Sequence, residues 1–451
     1  MAVAHDTIAA IATAPGAGAI GIVRISGPAA AAIGTGLTGK ALPARTPQLH
    51  ALRDGTGGVL DHALALLFTA PRSATGEDVL ELHAHGSPVV LKLLLERVLA
   101  LGARAARPGE FSERAFLNGK LDLVQAEAVA DLIASNSAAA ARAALRSLDG
   151  EFSRELRRLL EALIHLRAWL EAALDFPEEE IDFLSAPQLA VDLAALRAQT
   201  DALLAASRGG VVLRDGLHVV IIGRPNTGKS SLLNALAQSE RAIVTAIPGT
   251  TRDVLREHIA IDGIVLTLID TAGLRDSHDS VEREGMRRAR AELARADVAV
   301  LVTDHADTDA DHALLHECAA GAARLIVHNK IDLSGEAARI ERGAPAGADI
   351  HIYLSAQSGD GLALLRAELV RLAGQGEGTQ GTFSARTRHV DALERVAAHL
   401  RASDEVLREG HAGELAAEEL RLAQRVLGEI TGDYSSDDLL GAIFSTFCIG
   451  K

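Results

Sequence analysis

The period of apolar positions changes along the chain and divides it. Residues 1–120 set short apolar runs between Gly and Pro turns: Ile20 to Ile25 and Ala63 to Phe68 read as strands, and Val89 to Leu101 repeats its apolar residues at helical spacing. That mixture predicts an α+β domain. From Leu121 to about Arg208, Leu and Ala recur at i, i+3, i+4 and i+7 with acid/base pairs between them, which predicts helices. Asp175 to Asp182 interrupts the run with acidic residues around Pro177, which ends or kinks a helix; the cluster reads as a solvated loop or the acidic first turn of the next helix before it reads as a metal site. Between 216 and about 374, strand-like runs at Val219–Ile222, Ile264–Ile269, Val298–Val302, Leu325–His328 and His351–Leu354 alternate with helical stretches, the pattern of a mainly parallel sheet with helices on both faces. A Gly-rich linker from Gly374 to Gly381 follows, and Arg386 to Lys451 returns to amphipathic helix. The expected fold is multidomain α/β: an α+β domain at 1–120, a helical domain in two parts at 121–215 and 375–451, and between them an inserted α/β domain at 216–374.

Composition narrows the class. A chain of 451 residues is long for one core, so two or three domains are expected. With 48% hydrophobic and 23% charged residues, no apolar stretch of membrane-spanning length and no basic start in Met1 to Asp6, the expectation is a soluble, cytoplasmic protein without a membrane span. Cys318 and Cys448 form neither a disulfide framework nor a metal cluster. The net charge of −15, from 45 basic and 60 acidic residues, argues against coating nucleic acid by bulk charge but leaves room for a local basic groove. His83 and His85 could ligate a metal from alternate strand positions, although no third ligand of clear type stands near them. The stretches Gly76 to His83 and Pro108 to Lys120 are more polar than a core needs.

The chemistry concentrates after the first strand of the α/β segment. Gly223 to Ser230 reads Gly-Arg-Pro-Asn-Thr-Gly-Lys-Ser, between an apolar run and a helix start at Ser231. Glycines there let backbone N–H groups converge on phosphate oxygens; Asn226, Thr227 and Gly228 build the loop, Lys229 would reach the β/γ-phosphates and the Ser230 hydroxyl would ligate Mg²⁺. Asn329-Lys-Ile-Asp332 follows a strand, and Asp332 can accept from guanine N1–H and N2–H₂, a donor pair that adenine lacks. Asn329 would support the base edge, Lys330 would pack along the base or loop, and Ser355-Ala356 fits a second base-contacting loop. Asp270-Thr271-Ala272-Gly273 closes another strand: Asp270 would hold Mg²⁺ through water and the Gly273 N–H would sense the γ-phosphate, while Thr251 would add a hydroxyl to the metal. Leu274 stands where small regulatory GTPases carry a water-orienting Gln, so another group must do that work or hydrolysis is slow. Glu282, Arg283 and Glu284 follow on a segment that a switch movement could bring to the site; Arg283 and Glu284 read as a solvated helix start.

These residues, with marks spread from end to end, resemble the MnmE (TrmE) family of bacterial tRNA-modification GTPases. The marks are Gly16 to Pro28, Thr75 to Val79, Gly109 to Asn118, Leu121 to Glu127 and the terminus Phe447-Cys-Ile-Gly-Lys451. The resemblance implies a G domain inserted in a helical domain and an N-terminal domain that binds a 5,10-methylene- or 5-formyl-tetrahydrofolate and forms a homodimer. It implies that Arg24, Glu81, Lys120 and Lys451 contact the folate; surface salt bridging is the other reading of these side chains. It implies a K⁺ held by Asn226, Thr245, Ile247 through its carbonyl, and Thr250. A monovalent cation there supplies positive charge where an arginine finger would otherwise act. It assigns Glu282 as the catalytic glutamate, which accounts for Leu274, and Cys448 as a functional cysteine, against the reading of a buried structural one. It further implies GTP and Mg²⁺ as ligands, tRNA as substrate, and an FAD-dependent partner, MnmG, with which an aminomethyl-type group is installed at C5 of the wobble uridine. The alternative is a ribosome- or RNA-binding regulatory switch GTPase with no role in base modification, against which the folate residues and the Cys-Ile-Gly-Lys terminus discriminate.

The guanine assignment makes a prediction. Asp332→Asn shifts preference from GTP toward xanthosine triphosphate in a nucleotide competition assay; an unchanged preference for GTP would remove Asp332 from base selection.

Overall fold

The computed structural model describes residues 6–135, 137–175, 187–224, 226–238, 256–261, 264–270, 293–304, 315, 318, 322–343, 349–372, 383–410, 413–433, 437–448 and 450. Two compact units emerge: Met1–Ala130 with Ser147–Thr200 and Ala392–Lys451, and Asp131–Arg146 with Asp201–Asp391.

The first unit opens with β1 (Ile8–Ile11), β2 (Gly18–Ser26), α1 (Ala30–Thr38), β3 (Gln48–Arg53), β4 (Val59–Phe68), β5 (Val79–Gly86), α2 (Pro88–Ala100) and β6 (Arg104–Ala105). The strands form a sheet in the order β3-β4-β5-β2-β1-β6, antiparallel except for the β1–β6 pair. Helices α1 and α2 cover one face: Ile33, Leu37, Leu91, Leu94 and Val98 pack on Val23, Ile25, Leu80 and Leu82. One-sided cover explains the alternation in β4, where Ala63, Ala65 and Leu67 are buried while Leu64 between them is exposed. The expected strands and the Val89 helix stand within a residue or a few of their expected bounds. The Gly76 to His83 stretch is largely strand, and its polar residues have work in the interior.

That work centres on α3 (Glu110–Leu117), where Glu110, Glu113 and Arg114 are all buried. Arg114 donates to the Asp6 carboxylate at 2.7 Å, to Glu77 Oε2 at 3.0 Å and to Glu110 Oε1 at 3.3 Å. Arg104 pairs with Asp6 and Glu110, and Arg107 donates to Glu113 at 2.8 Å. Glu77 in turn accepts from the Ser26 hydroxyl at 2.8 Å. Buried charges survive only when paired and hydrogen-bonded, so this network corrects the impression that Pro108 to Lys120 is surplus to the core. Burial works to raise the Glu110 carboxyl, but the Arg104 guanidinium and the Arg107 N–H outweigh it and hold the group below its ordinary value.

Helices α4 (Leu123–Ala134), α5 (Ala138–Leu148), α6 (Glu151–Asp175) and α7 (Pro187–Asp215) come next, and α4, α5 and α7 each contain a boundary between the units. The chain then enters the second sheet through β7 (Leu217–Ile222), α8 (Lys229–Gln238), β8 (Arg256–Ile261), β9 (Ile264–Asp270), β10 (Val298–Thr303), β11 (Ala323–His328), α9 (Ile331–Ser334), β12 (Arg339–Arg342), β13 (Ile350–Tyr353) and α10 (Leu362–Leu372). The order β12-β13-β11-β10-β7-β9-β8 is parallel through its centre, with antiparallel edges at β8 and β12. Apolar packing on both faces explains the unbroken apolar runs: Val219 and Ile221 join one core cluster, Val220 and Ile222 another. Helices α11 (Thr387–Gly410), α12 (Gly413–Thr431) and α13 (Asp437–Ser445) complete the chain. Within the second unit the two ends of the sheet segment lie side by side, since a Cβ on Gly210 would stand 2.5 Å from the Phe383 carbonyl. Asp131 Oδ1 accepts from Arg214 at 2.8 Å and from Arg386 at 2.7 Å, tying the incoming and outgoing strands of chain to one carboxylate. Among the described residues, no helix is long and apolar enough to cross a membrane. The interruption after Asp175 and the linker at Gly374 to Gly381 lie outside the described residues, Asp175 itself ending α6.

Removing Arg114 strands Glu77 without its cation, while Glu110 keeps Arg104. Arg114→Ala lowers the unfolding free energy of the first unit by about 3–5 kcal/mol, read in urea by the fluorescence of Trp169, the chain's one tryptophan. Burial works to raise the Asp6 carboxyl, but Arg104 and Arg114 outweigh it and hold the group below its ordinary value, so the contribution of Arg114 there is present above the ordinary value and lost as pH falls through the depressed one. The gap between wild type and variant therefore narrows on acidification, and a gap that is constant with pH would contradict the network's role.

Candidate functional site

In an open parallel sheet, ligands meet the loops at the carboxyl ends of the strands. After β7 the backbone turns at Gly223 with φ +143°, and a Cβ there would lie 2.3 Å from the Val302 carbonyl of β10. Gly228 has φ +96°, and its Cβ would fall 2.2 Å from Asn329 Nδ2. Close approach therefore demands glycine at both positions. Asn226 adopts a left-handed φ of 66° and is exposed. Thr227 is buried, its hydroxyl donating to the Arg224 carbonyl at 2.9 Å. Lys229 opens α8 and donates from Nζ to the carbonyls of Gly223 at 2.9 Å and Arg224 at 2.8 Å, which holds its charge inside the turn. Ser230 and Ser231 follow, exposed, in the first turn of a helix whose N-terminal N–H groups favour anions.

Asn329 fastens this loop to two others. Its Nδ2 donates to the Thr227 carbonyl at 2.8 Å, its Oδ1 accepts from the Ala356 N–H at 2.9 Å, and its own N–H donates to Thr303 at the end of β10 at 2.9 Å. Its carboxamide is thus committed to the loops it fixes. Lys330, with φ 67°, lays its side chain along the phosphate loop, Nζ donating to the Asn226 carbonyl at 2.7 Å and meeting Asp304 at 3.0 Å. Asp332 is exposed in the first turn of α9. Ser355 is fully buried, and its hydroxyl accepts from the N–H groups of Gln357 at 3.3 Å and Ser358 at 3.1 Å, closing the loop that presents Ala356. Asp270 ends β9 opposite Ile221 of β7. Thr245, Ile247, Thr250, Thr251, Thr271, Ala272, Gly273, Leu274, Glu282 and Lys451 lie outside the described residues.

The first unit carries a second constellation. Arg24 on β2 and Glu81 on β5 are cross-strand partners, Arg24 Nε donating to Glu81 Oε1 at 2.9 Å. The guanidinium also stands 5.8 Å from the Phe111 ring and donates to the Gly450 carbonyl at 3.5 Å. Gly450 is seated against β1, where a Cβ would meet the Ile11 carbonyl at 2.4 Å, and the carbonyl of the exposed Cys448 accepts from Gly109 at 3.4 Å. These contacts bring the chain's end beside Arg24. Glu81 and Lys120 line a cavity of about 460 Å³ together with Arg45, Phe68, Arg72 and Val79. His83 and His85 do stand at alternate strand positions, but each meets a carboxylate: His83 Nε2 lies 3.1 Å from Glu81 and His85 Nδ1 lies 2.8 Å from Asp61. Among the described residues, no group of three or more His, Cys, Asp or Glu is arranged to hold a metal.

Comparison with known proteins bears on both constellations. A family model described as the MnmE helical domain matches residues 123–448, and one described as the GTP-binding protein TrmE N-terminus matches residues 7–120. The tRNA modification GTPase MnmE of Stutzerimonas stutzeri is 54% identical over 454 residues, covering 99% of both chains. That of Azoarcus sp. is 55% identical over 449 residues, covering 99% of this chain and 98% of the other. This chain belongs to the MnmE family of tRNA modification GTPases. Among solved structures, the G domain of the T. maritima FeoB iron transporter is 25% identical with a TM-score of 0.26, covering 35% of this chain and 98% of that one.

In this MnmE-family chain the described part of the nucleotide loop, Asn329, Lys330, Asp332, Ser355 and Ala356 come together along one sheet edge, and Arg24, Glu81 and Lys120 gather around one wall of the N-terminal sheet. Asp304, Phe111, Arg45 and Arg72 escaped the sequence reading. Asp304 had a signal, as an acid directly after an apolar strand; the other three carry none, because the contacts that make them relevant join Phe111 to Arg24 and Arg45 to Phe68 and Arg72, segments that no local pattern links.

Asn329→Ala removes the fastener while leaving the Asp332 carboxylate in place. The variant binds GTP about tenfold more weakly, the size of about 1.4 kcal/mol, and loses affinity for xanthosine triphosphate by the same factor in calorimetric titration. A loss confined to GTP would make Asn329 a base-specific contact.

Proposed function

We propose that this chain is a K⁺-stimulated GTP hydrolase that works as a homodimer with an FAD-dependent partner, MnmG. Together they install an aminomethyl or carboxymethylaminomethyl group at C5 of the wobble uridine of tRNA, in the cytoplasm. The division into 1–120, 121–215, 216–374 and 375–451 belongs to this reading. The observation that supports it is the presence, in one chain of the MnmE family, of a glycine loop fastened by Asn329 around Gly228 and Lys229 and a separate cavity lined by Glu81 and Lys120.

The residues divide the work. Lys229 neutralises the β/γ-phosphates from inside its turn, and the N-terminus of α8 receives their oxygens. Asp332 selects guanine, while Asn329 and Lys330 keep its loop in register with the phosphate loop. Ser230, with its exposed hydroxyl, and Thr251 are suited to hold Mg²⁺, and Asn226, Thr245, Ile247 and Thr250 to hold K⁺; hard oxygen donors match both ions. Bound there, the cations supply positive charge against the phosphates as the bond to the γ-phosphate breaks. Glu282 positions the attacking water. In the N-terminal cavity, Glu81 accepts from the N–H donors of a pterin, Arg24 fixes Glu81, and Lys120 and Lys451 offer positive charge to an anionic carrier. A tetrahydrofolate held there supplies the one-carbon unit. Cys448, exposed beside the seated terminus, serves the same chemistry. GTP turnover opens and closes the paired nucleotide domains and gates the modification without taking part in it.

Hydrolysis by the purified protein in KCl and in NaCl at equal ionic strength tests the core of this reading. The expected result is stimulation by K⁺ of at least about tenfold, lost in Asn226→Ala; equal rates in the two salts would favour a generic switch GTPase. Glu282→Ala slows hydrolysis by about 10²-fold with nucleotide affinity nearly intact, and a large loss of binding instead would refute the assigned role.

A further inference from the structure

We propose that Arg45 and Arg72 form a carboxylate clamp at the strand-end side of the 460 Å³ cavity, holding the glutamyl tail of a folate whose ring lies toward Glu81. The inference rests on the folate reading of that cavity and adds the orientation of the ligand and a selection for its tail.

The cavity is electrically lopsided. Phe68 pairs with Val79 at the ends of β4 and β5, and Leu66 pairs with Glu81 two residues further in, so Glu81 stands about 7 Å inward along the strand. Both oxygens of Glu81 already meet protein partners, Arg24 and His83. Phe68 and Val79 give an apolar middle. Beyond them the chain leaves β4 into the turn that carries Arg72, and Arg45 arrives from another segment of the chain. Arg45, Arg72 and Lys120 are all exposed, so the cavity opens to water at its cationic end.

Arg45 is fixed in place before any ligand arrives. Its backbone has φ 56°, a conformation uncommon outside glycine, and its N–H donates to the Leu67 carbonyl at 2.7 Å. Its guanidinium lies 5.8 Å from the Phe68 ring centroid and donates to the Arg72 carbonyl. That bond uses one of five N–H donors, leaving the rest of the planar fork for a carboxylate. Lys120 Nζ donates to the neighbouring Pro71 carbonyl at 3.1 Å, so two cations grip consecutive carbonyls of the turn. Three cations line the cavity against Glu81, whose charge is already met by Arg24. The occupant that fits has ring N–H donors at one end, an aromatic middle against Phe68, and carboxylates at the other. Because the cationic end faces solvent, each added γ-linked glutamate brings a further carboxylate within the field of the same arginines, and the gain weakens with salt.

The test uses the full-length protein and three probes in calorimetric titration: the methylamide of 5-formyl-tetrahydropteroate, which lacks the tail and carries no carboxylate, and the mono- and triglutamate forms of 5-formyl-tetrahydrofolate. Wild type is expected to bind the monoglutamate about tenfold more tightly than the methylamide, and the triglutamate more tightly still. Arg45→Gln with Arg72→Gln abolishes that ranking while methylamide binding persists, which also shows that the variant cavity is folded; Arg45→Lys restores part of the ranking. Variants that keep the wild-type ranking, or that lose methylamide binding in equal measure, overturn the clamp. If wild type binds none of the three probes, the folate reading of the cavity fails and the clamp falls with it.

Discussion

Asn329 joins three segments at one point, two of them through its carboxamide. One end of it holds the phosphate loop at Thr227, the other holds the loop after β13 at Ala356, and its backbone is bound to the end of β10. A buried amide with partners on both sides is costly to disturb, since an unmatched donor or acceptor carries its full desolvation penalty. The glycine at 228 follows from it: only a residue without Cβ lets the amide approach so closely. The loops after β7 and β13 are therefore held together by a single side chain, and the positions of Lys330 and Asp332 follow directly in the chain.

The N-terminal unit depends on a different kind of constraint. Its sheet is covered on one face by α1 and α2, and the other face, where Phe111 of α3 packs on Ile8 and Ala10 of β1, carries Arg24, Glu81 and the cavity. The buried pairs around Arg114 join β2, the turn before β5, α3 and the segment before β1. Ionic contacts of this kind are directional and leave little freedom of register, so the Arg24–Glu81 pair and the seated terminus meet on a wall that is already fixed. Polar residues that look excessive along the sequence are the means by which distant segments are held together.

Much of the nucleotide edge was legible from order and spacing. A strand, a glycine turn and a helix in succession have one sensible geometry, and Asn329 to Asp332 after another apolar run has a defined place in a parallel sheet. The two edge strands β8 and β12 were not legible, because short polar strands such as Arg339–Arg342 lack an apolar pattern when only one side meets the core. Arg24 and Glu81 were singled out by likeness alone; that they are opposite one another across a strand pair is a matter of register, and register is fixed by long-range packing.

The sequence by itself determined the local grammar: where β7 and α8 run, why Gly223 and Gly228 are glycine, that Asn329 to Asp332 follow a strand, and that an α/β segment lies within helices. These follow from period and turn chemistry, both of which act over a few residues. Tertiary structure alone decided that Asn329 is a fastener between loops, that Asp131 binds both Arg214 and Arg386, and that Arg45 and Arg72 share a cavity with Glu81. Each of these joins residues tens to hundreds of positions apart, and only the packing of whole elements, which no short window of sequence records, brings such pairs within bonding distance.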